Sequence, residues 1–253
     1  ELLQLIQYLP TTAEQHRRPL LIVPPWINKY YVFDLRESNS FVRWATDQGL
    51  TTFVISWASA DEKLTHRSFD DYLSDGLLAA IDAVEMATGE QEIHLLGYCL
   101  GGTLLMATLA WMAARGHARA ASATFLASII DFSDTGEVRT LAARNLPVEV
   151  DEKLRADLES PLATDTFRIP HANELLWSFV INSYLLGRGS FPADLLYWSA
   201  DATRVPDALH RFVLENLVEA NRLVQPGGLS LAGSAIDIGR VKVPCYFLST
   251  IED

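Results

Sequence analysis

Short, nearly continuous apolar runs alternate with helix-length amphipathic stretches along most of this chain, and that alternation limits what it can fold into. The runs are Leu20–Val23 ("LLIV"), 51–56 ("TTFVIS"), Ile93–Tyr98 ("IHLLGY"), 122–128 ("SATFLAS") and 243–250 ("VPCYFLST"). Each has strand length and little polar alternation, the pattern of strands buried on both faces of a parallel sheet. Between them, 38–48 runs up to Gly49, 69–87 follows Ser68, and 100–115 stops at Gly116. A glycine just past the last periodic residue is a helix stop. Ser68 with Asp71 three positions on resembles a capping box. Strand and helix in this order predict an α/β fold with right-handed crossovers.

With 253 residues, 49% of them hydrophobic and 21% charged, the chain suffices for one large domain with a full core. Its net charge of −12 argues against nucleic-acid partners, whose phosphates are neutralised by Lys and Arg. No apolar run approaches the roughly 18 residues a transmembrane helix needs, so no membrane-spanning segment is expected. Cys99 and Cys245 are the only cysteines. Neither has metal-type spacing, so no metal site is expected, and a reducing, cytoplasmic setting is the simplest reading. The chain opens on Glu1 without a basic-then-apolar leader, and is expected to be a piece of a longer protein.

The last two runs are separated by residues 129–242, with no clear strand and helix-like stretches near 149–159, 171–186 and 205–224. An insertion there, at about 134–225, is expected to form a helical cap over an active site. A helical subdomain of purely structural role is the alternative.

The third run leads into Gly97-Tyr98-Cys99-Leu100-Gly101-Gly102, with a helix following at once. This is G-x-C-x-G-G, the nucleophile-elbow pattern with Cys in place of Ser. Side chains at Gly97 and Gly101 would collide with the neighbouring strand and helix in so sharp a turn, and Gly102 allows close packing at the helix start. The turn would lift the Cys99 sulfur to the top of the sheet and set it at a helix N-terminus, where the dipole favours a thiolate. The Leu100 N–H would face a developing oxyanion. The loop after Val23, Pro24-Pro25-Trp26-Ile27, would supply the second donor, with Ile27 the expected residue. The competing readings are a buried structural cysteine between packing glycines, and an ordinary aromatic loop. Cys245, inside a strand pattern, is expected in the core.

Taken together, "PPWINKYYVFDL", "SFDDYL", "HLLGYCLGGT", "DFSDTG", "NSYLLG", "LLYWSADATRVP" and "STIED" resemble the poly(3-hydroxyalkanoate) synthases, from about residue 18 to the last residue. "GYCLGG" with "PPWINKYY" is most similar to the single-component class that prefers short-chain monomers. The resemblance implies an α/β-hydrolase fold with a cap. It implies an acyltransferase that polymerises (R)-3-hydroxyacyl-CoA, here 3-hydroxybutyryl-CoA, into polyhydroxyalkanoate through a covalent cysteine thioester. Coenzyme A would be part of the substrate and a product, with no further cofactor. The complete protein would be a homodimer in the cytoplasm, attached to the surface of polyester granules. Cys99 would be the nucleophile and Asp253, in "TIED", the triad acid.

The family's base is a histidine in a later segment, and the order nucleophile, acid, histidine is that of the fold. The chain is therefore expected to stop before the final strand and His loop and to be inactive alone; the resemblance also implies that the family's usual N-terminal domain is missing here. His94 would lie roughly 15 Å below the elbow on its own strand. His117 follows the elbow helix at its wrong end, and His16, His66, His171 and His210 are expected in surface or packing roles. Asp70 and Asp71 read as helix-capping acids, with paired catalytic carboxylates the alternative. Asp131 and Asp134 could orient a base, but Asp253 is preferred. Lys29, Arg36 and Arg43 could approach CoA phosphates, a solvated role being the simpler one. A thiol-dependent hydrolase or esterase of the same fold, and a non-catalytic granule-associated protein, remain the alternative functions.

Overall fold

A computed structural model of the chain describes residues 1–133, 186–187, 193–201 and 203–250. The chain divides into two compact units, Glu1–Thr135 with Thr203–Asp253, and Gly136–Ala202. In the second unit the described structure is the helix Ala193–Ala200. The expected helices at 149–159 and 171–186 lie outside the described residues but for Leu186. Of the stretch expected to form a cap, residues 203–225 fall in the same unit as the sheet.

Six strands form one sheet in the order β1 (Leu3–Tyr8), β3 (Thr52–Trp57), β2 (Leu20–Val23), β4 (Ile93–Tyr98), β5 (Ala120–Leu126), β8 (Cys245–Leu248). All neighbouring pairs are parallel except β1 with β3. The apolar runs are the parallel strands, and β2 is buried along its whole length. β1 is an addition to the expected set. Its sequence, LQLIQY, leaves Gln4 and Gln7 exposed and its other residues half-buried; the two glutamines, three residues apart, point to opposite faces. A second addition is the short hairpin of β6 (Ser230–Leu231) and β7 (Ser234–Ala235), in a region where no strand was expected.

Helix α1 (Phe41–Asp47) begins later than the pattern suggested. Ser40 caps it by accepting from the Arg43 N–H at 2.9 Å, and the preceding Glu37–Asn39 forms a 3-10 turn. After Ser68, α2 (Phe69–Asp71) continues through π-type turns at Tyr72–Leu78 into α3 (Ala79–Thr88). The wide turns accommodate Trp57: a Cβ at Gly76 would stand 2.9 Å from its indole Cζ3. Helix α4 (Leu100–Arg115) is buried without interruption from Gly101 to Met112, which a helix apolar on all sides requires. The helix Asp207–Phe212 packs on the same unit, with Phe212 stacked on Phe69 at 4.8 Å.

Cys245 departs from expectation. β8 lies at one margin of the sheet and all its residues are exposed, Cys245 included. Phe247 stacks on Phe125 at 4.6 Å yet keeps about half its surface open (53%).

Candidate active site

The parallel strands deliver their C-terminal ends to one edge of the sheet, and the turn from β4 into α4 lies there. Cys99 has φ 52° and ψ −129°. That backbone is rare for a residue with a Cβ and costs roughly 1–3 kcal/mol unless the surroundings impose it. Here they do. The Cys99 N–H donates to the Leu126 carbonyl at 3.0 Å, and its own carbonyl accepts from the N–H groups of Gly102 (2.9 Å) and Thr103 (3.3 Å). The residue is thus held by β5 on one side and by the first turn of α4 on the other. It is half-buried and forms no disulfide.

The three glycines are fixed by contact. A Cβ at Gly97 would stand 2.9 Å from the Gly102 nitrogen. At Gly101 it would overlap the Val23 carbonyl oxygen and come within 2.7 Å of Pro24, and at Gly102 it would meet the Ser128 side chain. The helix start therefore presses against both the loop after β2 and the turn after β5. Ser128 was not foreseen as part of the elbow. Its hydroxyl donates to the Leu126 carbonyl at 3.1 Å, just beyond Ala127 at φ 44°.

Leu100 opens α4, so its N–H belongs to the first turn, which has no intrahelical partner. Ile27 lies half-buried in the turn after the buried Pro24, Pro25 and Trp26. Trp26 is anchored edge-on against Phe69 (6.2 Å) and Tyr72 (5.6 Å). Val23 pairs with Gly97, so the Ile27 loop and the Cys99 elbow leave the sheet side by side. Asp253 lies outside the described residues. β8 runs parallel to β5, Leu248 pairs with Leu126, and the Leu248 carbonyl accepts from the Ala127 N–H at 2.8 Å. The chain after β8 therefore departs from the elbow's edge.

Other candidate groups separate from the site. His94 pairs with Leu20 low on β4, and its Nδ1 shares a 2.7 Å hydrogen bond with the Ser122 hydroxyl. Burial, then the charges of Arg18 and His16, push its pKa down. His117 lies past the far end of α4, about 24 Å along the helix from the elbow, where it packs on Trp111. The His16 N–H bonds the Gly49 carbonyl ahead of β3, and His210 is held below its ordinary pKa by burial. His171 and Asp134 lie outside the described residues.

Asp71 is a cap. Partial burial works against its ionisation, but the Ser68 N–H and hydroxyl and the Arg67 guanidinium outweigh it and hold the pKa below the ordinary value. Asp70 lies beside it in the same first turn. The Asp131 carboxylate accepts from the Ser133 N–H (2.9 Å) and the Asn221 amide (2.7 Å), which hold it below the usual range. It tethers the turn after β5 to Asn221. Arg43 pairs with Glu37 and Asp47 along α1, the solvated role. Among the described residues no cluster of three or more His, Cys, Asp or Glu side chains could hold a metal ion. No described helix is long and apolar enough to cross a membrane.

Residues 1–45 match the family described as the N-terminus of poly-beta-hydroxybutyrate polymerase (PhaC), so the resemblance reaches further back than the motifs from residue 18. The chain is 43% identical to a poly(3-hydroxyalkanoate) polymerase of Methylorubrum extorquens, covering 100% of this chain and 42% of that protein. It is also 43% identical to a poly(3-hydroxyalkanoate) polymerase subunit PhaC of Rhizobium meliloti (99% and 41% covered). Against the corresponding subunit of Cupriavidus necator it is 36% identical (100% and 44% covered). The chain spans less than half the length of these relatives, and the resemblance holds from end to end.

Among solved structures, an epoxide hydrolase from Bacillus megaterium superposes with TM-score 0.54 at 10% identity, over 97% of this chain and 78% of that one. A bromoperoxidase from Bacillus anthracis gives 0.50 at 12% identity, over 97% and 75%. The fold is that of the α/β-hydrolases.

Proposed function

We propose that this chain carries the acyl-enzyme site of a poly(3-hydroxyalkanoate) polymerase. The observation that supports it best is the backbone of Cys99, held at φ 52° between a parallel strand and a buried helix by three glycines. A structural cysteine has no need of so costly a conformation, whereas a nucleophile that must project from the sheet does.

The chemistry follows. The Cys99 thiolate attacks the thioester carbonyl of an (R)-3-hydroxyacyl-CoA, for which 3-hydroxybutyryl-CoA is the proposed monomer. The carbonyl oxygen takes the charge and is held by the Leu100 and Ile27 N–H groups. Collapse expels coenzyme A as its thiolate, leaving the acyl group on sulfur. The 3-hydroxyl of a second acyl unit, losing its proton to a histidine oriented by Asp253, then attacks the thioester; the acyl C–S bond breaks, an ester forms and Cys99 leaves as thiolate. A thioester intermediate keeps the acyl group reactive towards an alcohol. The same reading places the complete protein, as a homodimer, at the surface of a polyester granule in the cytoplasm.

The test is incubation of the full-length protein that contains this chain with (R)-3-hydroxybutyryl-CoA, followed by peptide mass spectrometry. The expected result is one 3-hydroxybutyryl group on the peptide bearing Cys99, with stoichiometric coenzyme A release, and neither in Cys99→Ala. Modification elsewhere, or release undiminished in Cys99→Ala, would refute it. Free 3-hydroxybutyrate in place of ester-linked product would favour the thiol hydrolase.

A further inference from the structure

The Pro24-Pro25 pair leaves the start of the Ile27 loop with two consecutive residues that lack an N–H, so neither can be tied down by donating. Its position depends on what its carbonyls accept and what its rings touch. The Pro24 carbonyl accepts a buried hydrogen bond of 2.8 Å from the indole Nε1 of Trp57, the last residue of β3. The indole itself is fixed. Its ring centroid lies 4.8 Å from that of Tyr72, and the glycine at 76 gives it room against the π-type turns. On its other side the Pro24 peptide abuts the elbow, since a Cβ at Gly101 would come within 2.7 Å of both its carbon and its oxygen. One peptide group is thus clamped between an indole donor and the first turn of the helix that follows Cys99.

We infer that Trp57 is the positioning residue of the oxyanion loop: its indole N–H sets the orientation of the Pro24 peptide and thereby of the Ile27 N–H beside Cys99. Trp57 touches no reacting atom, and the inference rests on the reading of Cys99 as nucleophile. Its signature is selective. Alkylation of a thiolate develops no oxyanion, whereas acylation does. Loss of the indole donor should therefore slow acylation of Cys99 and spare its alkylation.

The experiment, in the full-length protein, replaces Trp57 by 3-benzothienylalanine, which keeps the bicyclic shape but has sulfur where the N–H was, with Trp57→Phe as a second variant. Rates of Cys99 acylation by 4-nitrophenyl acetate and of alkylation by iodoacetamide are measured on the peptide bearing Cys99. Removal of one oxyanion donor lowers rates by roughly 10²–10³. For a donor displaced but still present, the ratio of acylation to alkylation should fall by about tenfold. A ratio unchanged in the isosteric variant, or two rates falling in parallel, would assign Trp57 a packing role and overturn the inference alone. If the full-length parent protein shows alkylation but no acylation of Cys99, the nucleophile reading fails and the inference with it. Should Trp57→Phe not fold, the isostere decides.

Discussion

Gly101→Ala offers a direct test of the clamp around the elbow. The added Cβ would overlap the Val23 carbonyl oxygen and sit 2.7 Å from the carbonyl carbon and oxygen of Pro24, well inside the 3.4–4 Å of ordinary contact. Every obstacle is backbone, so no rotamer change relieves it. Val23 is fixed by its pairing in the sheet and Pro24 by the Trp57 indole. Overpacking costs typically 1–3 kcal/mol, and backbone obstacles put this case near the upper end, about 3 kcal/mol. For a domain of this size each kcal/mol lowers Tm by about 2–4 °C, so a loss of about 6–12 °C is expected. Gly116→Ala is the control. Gly116 has φ 72° with nothing within 4 Å of an added Cβ, so only the left-handed backbone penalty of about 1 kcal/mol applies, or about 2–4 °C. Thermal unfolding followed by far-UV circular dichroism compares the two. If Gly101→Ala melts no lower than Gly116→Ala, the close approach of helix and loop is not what fixes the glycine.

Gly102→Ala meets a side chain rather than backbone, with Ser128 Cβ 2.6 Å away. Ser128→Gly in the same chain should recover part of the lost stability, a coupling of about 0.5–3 kcal/mol, and additive losses in denaturant titrations would contradict it. Asp71→Asn should lower Tm at pH 7. Because the folded carboxyl titrates below its ordinary value, its contribution is complete above about pH 4. It fades as pH falls through the lowered value, so the gap between variant and parent should close in acid; a constant gap would refute this. His94 has its pKa depressed, mainly by burial, so protonation favours the unfolded chain and stability should fall as pH drops below about 6.5. His94→Gln should flatten the Tm profile between about pH 7 and 5, and an unchanged slope would remove His94 from the account.

Much of this was legible because the strongest signals were local. All five apolar runs became parallel strands, three of them, β2, β3 and β4, largely buried, and the G-x-C-x-G-G turn carries its own geometric demands. Ser68 and Asp71 read correctly as a cap because capping involves only residues three apart. Other features depended on partners distant in sequence. β1 interrupts its apolar residues with Gln4 and Gln7, has no clean alternation, and owes its existence to the register with β3. Cys245 shares the composition of a buried strand, but exposure is decided by which strands flank it, and among the described residues β8 has a sheet neighbour in β5 alone. Trp57 gave one signal: a tryptophan ending a buried strand needs a partner for its N–H. The identity of that partner, the Pro24 carbonyl 33 positions away, was invisible until the chain was folded.

β4 has partners on both sides, β2 and β5, from His94 to Gly97, and Tyr98 keeps its pairing with β5. Its amides can exchange with deuterium only when the middle of the sheet opens, the most expensive opening the unit can make. Cys99 hangs from that strand, its own N–H bonded into β5. Loops that gate or bind can loosen while the unit stays folded; this turn cannot. In an exchange experiment the Cys99 amide should be among the last to carry deuterium. The sulfur would then lose its address only when the whole unit unfolds.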